Sequence, residues 1–83
     1  MKVSFEIEPK NHIALLAIDP NELNKEKDYK DLLSLITIIS ADFYLDPELE
    51  IDYLKELCDK AKSDKKSLLI SFDEEGIELE FKS

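Results

Sequence analysis

His12 is the single histidine of the chain and the one side chain that titrates near neutrality without a perturbed environment. To act as a general base it needs a serine or cysteine nucleophile held against it and donors aimed at a developing oxyanion. The only thiol, Cys58, falls mid-helix on an apolar arc. A thiolate is stabilised at a helix N-terminus, not there, so the position predicts a buried and inert group. His12, at the start of a predicted strand, reads as an ordinary surface residue. Carboxylates are so numerous that some pair must lie close, and their abundance therefore singles out no acid–base couple. Asp42, Asp46, Glu48, Glu50 and Asp52 lack the twelve-residue spacing and central glycine of an EF-hand loop. A single glycine, Gly76, leaves no material for a Gly-rich phosphate loop. The residue types thus predict a protein that is not an enzyme and holds neither cofactor nor metal.

The charge pattern is more informative. Twenty Asp and Glu against eleven Lys give 83 residues a net charge of −9, with no arginine. Arginine supplies the bidentate fork suited to phosphate and stacks on bases, so its absence together with the acidic balance predicts no direct nucleic-acid binding. A strongly negative field instead steers basic proteins or cations toward the surface. The acid is also clustered: residues 42 to 52 carry −5 and residues 67 to 83 carry −4, whereas residues 53 to 66 carry +2.

The elements that position these charges follow from hydrophobic periodicity. Val3, Phe5 and Ile7 alternate with Lys2, Ser4, Glu6 and Glu8, which predicts a strand over residues 2 to 8 with one wet face. Pro9, Lys10 and Asn11 supply a turn, and the apolar run His12 to Ile18 predicts a second strand, central in the sheet or covered on both faces. Asp19-Pro20-Asn21 breaks it, and Glu22 to Lys30 reads as loop or a frayed first turn. Tyr29, Leu32, Leu33, Leu35, Ile36, Ile39 and Phe43 share one side of a helix over residues 28 to 43. Asp46-Pro47 predicts a second helix from residue 47 to 63, with Asp46 as N-cap and Pro47 at the first position. Leu68, Ile70 and Phe72, then Ile77, Leu79 and Phe81, give a closing hairpin around Asp73-Glu74-Glu75-Gly76. Its glycine stands where a positive φ is wanted.

The chain therefore predicts one α+β domain spanning residues 1–83. Its order is β-β-α-α-β-β, a two-layer sandwich of a four-stranded antiparallel sheet with two helices on one face. The N-terminus lacks the apolar stretch of a signal peptide, and no run is long enough to span a bilayer. With one cysteine, this predicts a reducing, cytoplasmic setting and no membrane association.

When Phe5, Ile7, Ile77, Leu79 and Phe81 face the helices, parity sends Glu6, Glu8, Glu78 and Glu80 to the opposite face. Asp73, Glu74 and Glu75 extend that face at the turn, and Leu16, Ile18 or Leu69 give it an apolar centre. These seven acids are the predicted partner-binding residues, with a basic protein as the partner. In size and composition the chain resembles phage-encoded inhibitors of host nucleases and defence systems and bacterial toxin-immunity proteins, a resemblance of profile that carries no residues over. Taken with the acidic face, it points to a non-enzymatic inhibitor or immunity-type protein that occludes a basic site on a nuclease, defence protein or toxin, a nucleic-acid channel being one such site. The alternative is a structural module that forms a homodimer or joins a larger complex through apolar outer-strand residues.

Overall fold

Two hairpins frame a helical excursion. The computed structural model describes residues 3 to 8, 10 and 12 to 83. β1 (Val3–Glu8) and β2 (Ile13–Ile18) pair antiparallel, from Val3 opposite Ile18 to Glu8 opposite Ile13. β3 (Ser67–Asp73) and β4 (Gly76–Lys82) pair from Ser67 opposite Lys82 to Asp73 opposite Gly76. β2 and β3 then pair antiparallel, Ala14 opposite Phe72 and Ile18 opposite Leu68, so the strand order is β1-β2-β3-β4. Between β2 and β3 the chain forms α1 (Glu26–Asp42) and α2 (Ile51–Ser63). The expected α+β order is present, with one addition: a 3-10 turn at Pro20–Glu22. Lys2, Pro9 and Asn11, assigned above to the first strand and its turn, lie outside the described residues.

Period-two alternation places the core. Ala14, Leu16 and Ile18 on β2 and Leu68, Ile70 and Phe72 on β3 are no more than 1% exposed. They meet Leu32, Ile36 and Ile39 of α1 and Leu54 and Cys58 of α2 in one cluster. Each large side chain so buried favours folding by roughly 1.5–3 kcal/mol. The second strand is central, as expected, but it is not covered on both sides. The helices take the Ala14, Leu16 and Ile18 side, which leaves Ile13, Leu15 and Ala17 on the open face.

α1 starts two residues earlier than the periodicity suggests because Asp28 caps it. Its carboxylate accepts hydrogen bonds from the backbone N–H groups of Asn24 and Lys25, each at 3.0 Å. Both helices end in the same motif. Leu45 N–H donates to Ser40 C=O (2.9 Å) and Tyr44 N–H to Ala41 C=O (3.1 Å); Lys66 N–H donates to Ala61 C=O (2.8 Å) and Lys65 N–H to Lys62 C=O (3.2 Å). These 6→1 and 5→2 bonds are Schellman closures, and they put Tyr44 (φ 57) and Lys65 (φ 56) in the left-handed conformation usually left to glycine.

The predicted start of the second helix at Pro47 is wrong by four residues. Asp46 does accept from a backbone donor, Glu48 N–H at 3.2 Å, but Glu48 then turns to φ 45 and α2 begins only at Ile51, after Glu50. Residues 43 to 50 form an extended bridge. Phe43, Leu45, Pro47 and Leu49 are half-buried, and Tyr44, Asp46, Glu48 and Glu50 are exposed. Its length lets the chain turn back so that Leu54, Cys58 and Ala61 all reach the core.

Candidate protein-binding face

Cross-strand register assembles the open face of the sheet row by row. Glu6 lies opposite Leu15, Leu15 opposite Ser71, and Ser71 opposite Glu78. The next row runs Ser4, Ala17, Leu69, Glu80. Glu8 stands opposite Ile13. Directly opposed residues share a face, so Ile13, Leu15, Ala17 and Leu69 form an apolar stripe along the two inner strands. Glu6 and Glu8 border it on β1 and Glu78 and Glu80 on β4. Adjacent strands lie about 4.8 Å apart, which sets the two acidic borders ~14 Å from each other. All four glutamates are exposed.

The apolar centre consists of different residues from those expected. Leu69 belongs to it, but Leu16 and Ile18 point into the core at 0% and 1% exposure. Their neighbours Ile13, Leu15 and Ala17 take that place. The run from Ile13 to Ile18 is apolar at every position, so its parity is not readable from residue types alone. The signal lies in the hairpin register, which sets Phe5 against Leu16 and Ile7 against Ala14.

Of the seven acids singled out above, Glu6, Glu8, Glu78 and Glu80 border the stripe on the outer strands, and Asp73 lies at the end of the same face by its β3 parity. Asp73 is committed to its turn: its Oδ1 accepts from Glu75 N–H at 2.8 Å and Gly76 N–H at 3.1 Å. That pair of bonds shapes the two-residue loop Glu74–Glu75, and Gly76 follows at φ 151, where a side chain would be strained. Glu74 and Glu75 are exposed beyond it, beside Lys10, His12 and Ile13. Glu80 forms an ion pair with Lys82 at 3.0 Å, both side chains about half exposed, a contact worth at most ~1 kcal/mol in water.

The perturbed titrations lie elsewhere and are structural. Lys55 of α2 bonds Glu26 of α1 at 2.6 Å, which holds the Glu26 carboxyl below its usual range and raises the lysine. The two backbone N–H donors at Asn24 and Lys25 lower Asp28. Burial pushes the Cys58 thiol up to about 11, the opposite of an activated nucleophile. His12 is exposed, with φ 53, and meets the Phe43 ring edge-on at 5.1 Å between centroids. This contact joins the residue preceding β2 to the end of α1. Among the described residues no three His, Cys, Asp or Glu side chains are gathered as metal ligands would be, and no helix is long and apolar enough to cross a membrane. No family model, curated protein or solved structure matches the chain.

Proposed function

We propose that the protein is a non-enzymatic binding protein whose open sheet face occludes a basic site on a partner, in the manner of an inhibitor or immunity protein. One observation carries the reading: the stripe Ile13, Leu15, Ala17 and Leu69 is bordered on both sides by exposed glutamates, Glu6 and Glu8 on one edge and Glu78 and Glu80 on the other. Each part of this surface has a distinct use in recognition. The acids speed and orient the encounter with a positively charged surface, and the apolar strip, once dry, slows dissociation. Sites that bind nucleic acid are basic, and a nuclease, defence protein or toxin carrying one is the partner class that fits.

The same stripe supports a second reading, face-to-face assembly of two copies, because it is apolar and lies on the side away from the helices. Charge separates the two. Stacking two such faces brings like-signed borders together, so a homodimer tightens as salt rises, whereas a basic partner is released. Affinity capture from a lysate of the source organism or its host, washed at low and at moderate salt, is the test. The inhibitor reading predicts one basic protein, lost at moderate salt and not retained by a Glu78→Lys/Glu80→Lys variant. Retention by that folded variant at unchanged affinity overturns the surface assignment, and self-association that strengthens with salt favours the dimer.

A further inference from the structure

β1 is the edge of the sheet that the helices leave unfinished. β4, the other edge, is better covered on its helix-facing side. Ile77 and Phe81 are half-buried there, and the Lys60 ammonium sits 5.7 Å from the centre of the Phe81 ring. On β1 the corresponding residues Phe5 and Ile7 are 43% and 59% exposed. They line an open groove of about 270 Å³ with Ala14, Ile39 and Phe43, which His12, Ile13 and Asp42 also line. Glu6 and Glu8 project from the opposite side of the same strand. A single edge strand thus presents an apolar row on one face and an acidic row on the other.

We propose that β1 accepts an extended segment of a basic partner as a fifth strand, a segment in which apolar residues alternate with lysine or arginine. The inference rests on the reading above that the partner is basic, and it specifies how that partner docks. Side chains of a strand alternate between faces, so such a segment sets its apolar residues beside Phe5 and Ile7 in the groove. Its cations then fall beside Glu6 and Glu8, while the main chains exchange hydrogen bonds along the open edge. Charge selects this occupant over a second copy. Pairing β1 with another β1 brings the Glu6 and Glu8 of two molecules onto one face. Pairing it with another molecule's β4 sets them against Glu78 and Glu80, and like charges across strands are destabilising.

The test uses isotope-labelled protein titrated with a terminally capped peptide of about ten residues that alternates valine and lysine, a length typical of a strand pairing. A peptide of equal composition with its valines and lysines in separate blocks is the control. The alternating peptide is expected to bind ~10-fold more tightly than the block peptide, the sum of several favourable cross-strand pairs. It is also expected to slow hydrogen exchange of the β1 amides. Ile7→Lys alters a side chain already more than half exposed, so the fold is expected to survive and the affinity to fall. Equal affinity for the two peptides, or binding without new protection of β1, overturns the fifth strand. Glu78→Lys/Glu80→Lys separates this proposal from the face reading. Peptide protection of β1 that survives the double reversal supports strand addition even when the partner ignores the outer face. Dependence on Glu78 and Glu80 with β1 unprotected leaves the face reading standing alone.

Discussion

Non-glycine residues at positive φ mark where single side chains work against the backbone. Tyr44 and Lys65 each close a helix in the left-handed conformation, which costs an L-residue roughly 1–2 kcal/mol. Lys65 is exposed and makes no side-chain bond that the Schellman closure needs. Lys65→Gly is therefore expected to raise stability by about 0.5–1 kcal/mol, read as a higher denaturant midpoint at unchanged slope; a lower midpoint would mean the ammonium has a role that its geometry does not show. Asp28 works in the other direction. Its carboxyl is depressed by the N–H groups it caps, so the folded state binds a proton less readily than the unfolded chain. The stability this gives is fully present above the ordinary aspartate value of 3.8 and is lost as pH falls through the lower folded value. Asp28→Asn should lower the melting temperature at pH 7, and the gap to wild type should shrink in acid below pH 3.8. A gap that stays constant down to low pH would show that the cap contributes through shape alone.

At the scale of elements, legibility followed the strength of the periodic signal. Both hairpins were readable because Phe5 and Ile7, Leu68 to Phe72, and Ile77 to Phe81 alternate with polar residues. The start of α2 was not, because Asp46-Pro47 imitates a helix cap while Phe43, Leu45, Pro47 and Leu49 spell the alternation of an extended segment, and the second pattern decides burial. The turn after β2 was missed for a related reason. Leu23 is a lone apolar residue among charges, yet it is fully buried. Asp19 caps the Pro20–Glu22 turn by accepting from Asn21 N–H at 3.0 Å, and the turn swings Leu23 beneath the helices. Its carbonyl then accepts from Lys62 Nζ of α2 at 2.7 Å and from the Tyr29 hydroxyl of α1 at 3.3 Å. One residue thereby joins three elements. Leu23→Ala is expected to cost about 2–4 kcal/mol by emptying this site, which chemical denaturation measures directly. A cost below ~1 kcal/mol would mean the turn collapses into the space and the junction is soft.

For the molecule as a whole, the net charge of −9 acts on folding in one sense and, under the proposed function, on binding in the other. Self-repulsion among carboxylates opposes the compact state, so added salt is expected to raise the melting temperature, while the same screening weakens attraction to a basic partner. Reversing Glu78 and Glu80 changes the net charge to about −5 and turns the β4 border of the open face from acidic to basic, while Lys82 loses its ion-pair partner, a surface contact worth little. The double variant is therefore predicted to melt no lower than wild type at low ionic strength, even as partner affinity falls by about 10-fold or more. Melting curves at two salt concentrations, set beside salt-dependent binding of both proteins, decide the matter. A glutamate border kept only for solubility requires affinity to be untouched. A border that serves recognition requires affinity to fall while stability holds, because the glutamates then act on contact with the partner and not on the fold.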